Sequence, residues 1–298
     1  MHMKIQAIIV CQANEWRNIP LKLTNILVNE NVHLAACTDR GLVDLTAAGF
    51  PLSLEQLIMQ GDLAAACSAA EDSSLPCVDA PVYANLVNPG HTILCVGLNY
   101  QSHAKAAGFT LPEQPTLFSK FSNALAPCGA GIFLPPWEIS YDYEAELVMV
   151  IGKTAWNVSV EDAMDHVFGF TCGNDLSCRA AQMRSGQWLI GKTMPGFGPC
   201  GPEIVTADSF DAFAPHTIRS YVNGELRQDG NISDMIFNCA QIISYASRYV
   251  QLEPGDLIFT GTPSGVALEK KDDAHWLKPG DTVDVEIEGI GTLRNFMK

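Results

Sequence analysis

The sequence is poor in charge, and poorest in positive charge. Eighteen Lys and Arg stand against 33 Asp and Glu in 298 residues, a formal net charge of −15. No Lys/Arg cluster interrupts that balance. The basic patch that nucleic-acid binding needs is missing, and an anionic membrane surface is disfavoured for the same reason. No apolar run reaches the length of a membrane span. The N-terminus lacks a charged region followed by an apolar one, so no secretory signal is expected. The ten cysteines fall at positions 11, 37, 67, 77, 95, 128, 172, 178, 200 and 239. None forms a C-x-x-C pair, and none has a His at zinc-finger spacing. Several lie in apolar runs (Cys11, Cys95, Cys239), where small buried hydrophobes in a reducing cytoplasm are expected.

What the chain does have is core. Hydrophobic residues make up 47% of it and charged ones 17%. Its length suits one large domain, or one large and one small. Residues 1–85 read as a small N-terminal α/β domain. Strands are expected at Lys4–Cys11, Val32–Cys37 and Gly41–Leu45, and helices at Leu52–Gln60 and Asp62–Ala70. Pro76, Pro81 and Pro89-Gly90 mark a loop-rich linker. Residues 86–298 form the larger unit. His91–Tyr100 is a buried strand ending in polar residues, and a short helix or lid with His103 follows over Gln101–Gly108. Phe118–Phe121 is a short strand, and Ser159–Val167 is expected as a helix capped by Ser159. Asn223-Gly224 predicts a hairpin turn, and Asp234–Val250 an amphipathic helix. The last fifty residues read as β, with Pro254-Gly255-Asp256 and Pro279-Gly280-Asp281 as two turns of one type. Many short strands with Gly/Pro turns predict an α+β, mainly β chain with a rolled core, not a doubly wound sheet.

The stretch Tyr141–Ile151 organises the larger unit. Alternation along a strand puts Glu144, Glu146, Val148 and Val150 on one face, and Ala145, Leu147, Met149 and Ile151 on the other. Both faces are largely apolar, as in a covered, central strand. Two carboxylates side by side there repel each other and lose hydration. Either one is protonated or a cation sits between them, and a hard divalent ion with oxygen ligands meets that demand. A strand at a barrel mouth, its acids facing solvent, is the plainer alternative for an isolated E-x-E.

Several motifs then stand in one order: Val96–Ala104 (VGLNY-x-x-HA), Asp142–Leu147 (DYE-x-EL), Asn174–Arg179 (ND-x-S-x-R), Gln187–Lys192 (QW-x-x-GK) and Val222–Glu225 (VNGE). Leu252–Val266 (L-x-PGD-x-I-x-TGTP-x-GV) and Pro279–Asn295 (PGD-x-V-x-VEIEGIG-x-L-x-N) complete the series. With these motifs in register over residues 91–298, the chain resembles the fumarylacetoacetate hydrolase family. The resemblance implies a mixed β-sandwich roll with a metal at its mouth, and residues 1–85 resemble the small N-terminal domain of many members. It implies Glu144, Glu146 and Asp175 as metal ligands, with Asp175 arriving from a neighbouring strand end. Mg²⁺ suits that oxygen set best, with Mn²⁺ or Ca²⁺ as alternatives. The family reaction passes through an enolate that the metal stabilises as a Lewis acid.

By the same resemblance Lys192 is a donor to the developing oxyanion, against a surface lysine as the plain alternative. Thr262 binds the substrate's carboxylate or carbonyl, or is simply a turn residue. Arg179 and Gln182 meet the substrate or brace the site, with a structural salt bridge competing for Arg179. The family's H-A-x-E lid motif supplies a His–Glu dyad that activates water. Here it reads His103-Ala104-Lys105-Ala106, and a cationic Lys105 cannot replace the acid. A second family acid gives way to Ala180, and the loop Met194–Phe197 is atypical. The metal half of the machinery is thus expected complete and the water-activating half short of its acid. The expected function is divalent-metal-dependent hydrolysis of a C–C bond in a β-diketo acid of the acylpyruvate or fumarylacetoacetate kind. An oxaloacetate-type decarboxylase or keto–enol tautomerase is the alternative, and a metal-binding relative with little catalysis the third. A small keto-acid substrate, a homodimer and a cytoplasmic location complete the expectation.

Overall fold

The structure, a computed structural model, describes residues 21–60, 63–108 and 110–298. The strand expected at Lys4–Cys11 lies outside the described residues. Nine strands lie side by side in one mixed sheet in the order Gly41–Asp44, Asn31–Thr38, Lys22–Val28, Gly198–Thr206, Val167–Asn174, Ala145–Ile151, Leu257–Phe259, Ile93–Gly97 and Thr116–Lys120. Strands from residues 22–44 therefore continue the sheet that carries the acidic strand, joined through the antiparallel pair Leu23 and Ile204. A second sheet of five strands is built on Thr217–Val222, Glu225–Asn231, Thr282–Ile287 and Gly291–Met297, with the short Gly131–Ile132 at its edge. The protein is mainly β, as expected.

Ala145–Ile151 is central and buried along its whole length. Its alternation divides two cores. Ala145, Leu147, Met149 and Ile151 enter one apolar cluster with the helix Cys239–Ser247, whereas Val148 and Val150 enter another with the helix Leu54–Gln60. Covering on both faces by apolar side chains is what makes the strand read as a continuous hydrophobic run after its two acids.

The turns follow their residues. Asn223 and Gly224 both take positive φ, 53° and 80°, as a two-residue hairpin requires. In the two PGD turns the Asp carboxylate accepts the amide three residues back: Glu253 N–H to Asp256 at 2.8 Å, and Lys278 N–H to Asp281 at 3.0 Å. Two helices differ from expectation. Ser159 does accept the Asp162 amide (3.2 Å), but only a 3-10 turn, Ala163–His166, forms before the strand at Val167. A segment that short cannot repay helix nucleation. The helix expected over Asp234–Val250 starts at Cys239, because Asn238 and Gln241 close a reciprocal capping box there. The C-terminal fifty residues are also not all β: a 3-10 helix, Ala267–Asp273, interrupts them. It carries a residue of the site.

Candidate active site and metal centre

Glu144 and Glu146 stand at the start of the central strand, and Asp175 directly follows Val167–Asn174, its antiparallel neighbour. The register pairs Asn174 with Ala145 and Gly173 with Glu146. Asp175 therefore emerges beside Glu144, whose carbonyl accepts its amide at 2.9 Å. All three acids are buried, and each offers a carboxylate oxygen within 4.8 Å of the others.

Three buried cations surround them. Lys192 Nζ lies 2.6 Å from Glu144 Oε2 and 2.6 Å from Asp175 Oδ2. Arg179 spends its guanidinium on three partners: Asp142 at 2.9 Å, Gln182 at 2.9 Å and Glu144 at 2.5 Å. Lys120 Nζ lies 2.5 Å from Asp175 Oδ1 and donates to the Phe197 carbonyl at 2.7 Å and to that of Lys192. Glu146 has no such partner among the described residues; its Oε2 accepts the Gly261 amide at 2.8 Å. The charges respond accordingly. Burial works upward on Glu144, but the Arg179 and Lys192 cations outweigh it and hold the carboxyl down at about 2. Burial, with the Asp175 and Glu144 charges added, pushes Glu146 well above the carboxylate range. Burial works downward on Lys192, yet Asp175 and Glu144 raise it, so it stays a cation.

This donor set fits a hard divalent ion. It is all oxygen, it converges, and one of its members lacks a cation partner. Three of the four acids, Asp142, Glu144 and Asp175, are matched by Lys120, Arg179 and Lys192, and Glu146 is the one left for an added cation.

The loop Thr260–Pro263 runs along the acidic strand. Thr260 bonds the Leu147 carbonyl through its amide (3.0 Å) and its hydroxyl (2.9 Å). Gly261 brings its amide to Glu146 with φ +97°, and a Cβ there would stand 2.8 Å from that of Asn99. Thr262 donates its hydroxyl to the Ala145 carbonyl at 2.8 Å and accepts from Gln228 at 2.7 Å. The threonine lines the cavity while holding the loop in place.

The structure corrects the expectation of a missing acid. His103, on the helix Gln101–Ala107, has a carboxylate partner: its Nδ1 shares a short hydrogen bond with Glu269 Oε1. The other Glu269 oxygen accepts the Gly265 amide at 2.6 Å. With Nδ1 donating to the carboxylate, Nε2 is the basic nitrogen. The acid reaches the histidine from the 3-10 helix Ala267–Asp273 rather than from position 106. Asp142 anchors that helix, accepting the amides of Ala267 at 2.7 Å and Leu268 at 3.1 Å.

A cavity of about 620 Å³ opens onto these groups. His103, Glu144, Glu146, Asp175, Arg179, Gln182, Lys192 and Thr262, the residues singled out from sequence, all line it, together with Glu269. Three residues of the site carried no role in the sequence. Asp142 sits inside the DYE-x-EL motif, and its place before two ligand candidates was the available signal. Lys120 lies in a strand whose neighbours are aromatic, where a lysine needs buried partners. Glu269 lies in A-L-E-K-K, which has the look of any solvated turn.

The family model for the fumarylacetoacetate (FAA) hydrolase C-terminal domain matches residues 92–298. The chain belongs to the fumarylacetoacetate hydrolase family. Human oxaloacetate tautomerase FAHD2A, mitochondrial, is 36% identical, with 96% of each chain covered. The fumarylacetoacetate hydrolase domain-containing protein 2 homolog of Dictyostelium discoideum is 43% identical over 71% of this chain and 72% of its own. Among solved structures, a fumarylacetoacetate hydrolase from Exiguobacterium antarcticum superposes with a TM-score of 0.82 at 32% identity, covering 93% of this chain and 99% of that one. A fumarylpyruvate hydrolase from Pseudomonas aeruginosa, in complex with Mn²⁺ and pyruvate, gives 0.64 at 34% identity over 74% and 92%. The mainly β architecture is thus that of the family. No helix among the described residues is long and apolar enough to cross a membrane.

Proposed function

We propose that the protein is a divalent-metal-dependent hydrolase that splits the C–C bond between the two carbonyl groups of a 2,4-dioxo acid. The hydrogen bond between His103 and Glu269 is the observation that carries this reading, because it supplies the carboxylate that the lid motif lacks and the histidine base needs. Glu144, Glu146 and Asp175 would hold the ion, Mg²⁺ or Mn²⁺, which would act as a Lewis acid on the substrate's carbonyl. His103, its other nitrogen held by Glu269, takes a proton from water as the water adds to the distal carbonyl. The bond between that carbon and the methylene carbon then breaks, and the methylene carbon takes up a proton. The products are a carboxylic acid and pyruvate, and ionisation of the new acid releases one proton. Lys192, a cation facing the same cavity, steadies the negative charge that develops on oxygen.

Keto–enol tautomerisation of oxaloacetate is the second reading. The name of the human relative favours it, and it uses the same base to move a proton without adding water. A small keto acid as ligand is common to both readings. A homodimer is proposed with them, and so is a cytoplasmic location, although the human relative is named as mitochondrial. Product analysis by NMR separates the two reactions. Protein loaded with Mg²⁺ is incubated with acetylpyruvate and, separately, with oxaloacetate, each with an EDTA control. Acetate and pyruvate from the first, lost with EDTA, support the hydrolase. Faster enol exchange in oxaloacetate with acetylpyruvate untouched supports the tautomerase and rejects hydrolysis of acetylpyruvate.

A further inference from the structure

The cavity is sharply divided in polarity. Its floor is the buried cluster of acids and cations. Nearer the surface its walls are Leu98, Ala106, Phe118, Met183, Trp188 and Leu268, with Met183 68% exposed and Leu268 41%. The cations that line it, Lys192 and Arg179, are committed to acids at 2.5–2.9 Å. Arg184, next to Met183, is held in a two-pronged ion pair by Glu138, with both contacts at 2.7 Å. A carboxylate on the far end of a substrate would lose its water here and find no uncommitted Lys or Arg among the residues lining the cavity.

Trp188 is a preformed wall. Its indole lies over Gly97, where a Cβ would come within 2.4 Å of the ring. Its edge meets Phe118 at 5.4 Å between centroids and 71° between planes. Leu98, beside the glycine, holds a left-handed backbone at φ 54°, strain that a leucine tolerates only where its surroundings fix it. The volume, about 620 Å³, is far more than an acid the size of oxaloacetate fills.

We propose that the substrate's tail is uncharged and ring-sized: a 4-aryl-2,4-dioxo acid whose aryl group packs on Trp188, with Leu98 and Phe118 beside it. This rests on the dioxo-acid reading of the floor but is tested separately.

The test compares benzoylpyruvate, acetylpyruvate, fumarylpyruvate and oxaloacetate on the Mg²⁺-loaded protein. Turnover and calorimetric binding are both measured, on the parent and on Trp188→Ala, Trp188→Phe and Met183→Arg. Benzoylpyruvate is expected to exceed acetylpyruvate in kcat/KM by about tenfold or more, chiefly through KM. That ratio collapses in Trp188→Ala and survives in Trp188→Phe, which also controls for misfolding. Met183→Arg shifts the balance toward fumarylpyruvate. If nothing is hydrolysed but benzoylpyruvate still binds more tightly than the dicarboxylates, the tail assignment stands and the hydrolase reading falls. A preference for fumarylpyruvate or oxaloacetate, or an aryl-to-methyl ratio unchanged in Trp188→Ala, overturns the tail assignment whatever the reaction.

Discussion

Glu269 and His103 are 166 positions apart in the chain and share one short hydrogen bond. The bond fixes the imidazole's tautomer and gives the charge that forms on it a counter-ion. Glu269→Gln keeps the shape and removes the charge. Hydrolysis of a 2,4-dioxo acid is expected to fall about 10²–10⁴-fold, with Mn²⁺ affinity unchanged. The double change with His103→Ala should be hardly worse than either alone, since residues that act as a unit are not additive. Ala106→Glu should add nothing to the parent but restore part of the rate to Glu269→Gln. Steady-state kinetics with parallel Mn²⁺ titrations reads all of this. A gain from Ala106→Glu in the parent would show that Glu269 does not serve the histidine.

Much of the site was legible because its chemistry is local in sequence. Glu144 and Glu146 share a strand face by simple alternation, and an adjacent pair of buried acids asks for a cation. Asp175 was legible only through the family resemblance, and it is the register, Gly173 opposite Glu146, that brings it into contact. Glu269 was not legible, because nothing in A-L-E-K-K marks a residue that meets a histidine across the cavity. Its position is set by the folded chain, through the Gly265 amide and the Asp142 carboxylate. The fold divides in the same way. Turns with a mechanism in their own residues, Asn223-Gly224 and the PGD pair, appear where the sequence puts them. The 3-10 helices, too short to carry a hydrophobic period, do not.

Asp142 joins the two halves of the site. One of its oxygens meets Arg179, which holds Glu144, and the pair of them accept the amides that start the 3-10 helix of Glu269. Asp142→Asn leaves Arg179 buried without its full counter-charge. Breaking a buried pair from one side costs about 3–5 kcal/mol, so a lower Tm is expected. As a positioning residue Asp142 should also lower Mn²⁺ affinity and kcat together, whereas Glu269→Gln lowers kcat alone. A variant that loses stability but retains both functional readouts would make Asp142 purely structural.

Metal binding should register in the melting curve. Mg²⁺ at about a hundred times its Kd stabilises a folded protein by about 2.7 kcal/mol, and EDTA should reverse the rise in Tm. Glu146→Gln should abolish that rise. Without metal the same variant should melt no lower than the parent, because the glutamate it replaces is buried beside two like charges. A metal-dependent rise that survives in Glu146→Gln would remove this residue from the ligand set.

A pH-dependent effect is expected far from the cavity. Glu203, on the strand Gly198–Thr206, has its pKa raised by burial, and Lys22 and Tyr83 offset only part of that. The folded protein therefore holds this proton more tightly than the unfolded chain does. Glu203's favourable contribution is complete below its unfolded pKa and is lost as pH rises through its folded one. At neutral pH the ionised carboxylate is a liability that Glu203→Gln removes. The variant's Tm should exceed the parent's near pH 7, and the gap should narrow toward about pH 4, where the parent's carboxyl is protonated. Lys22 also donates to the Ile290 carbonyl at 2.7 Å, so it retains a partner in the variant. A Tm that drops near pH 7 would mean that the attraction between Lys22 and Glu203 outweighs the loss of hydration on this strand.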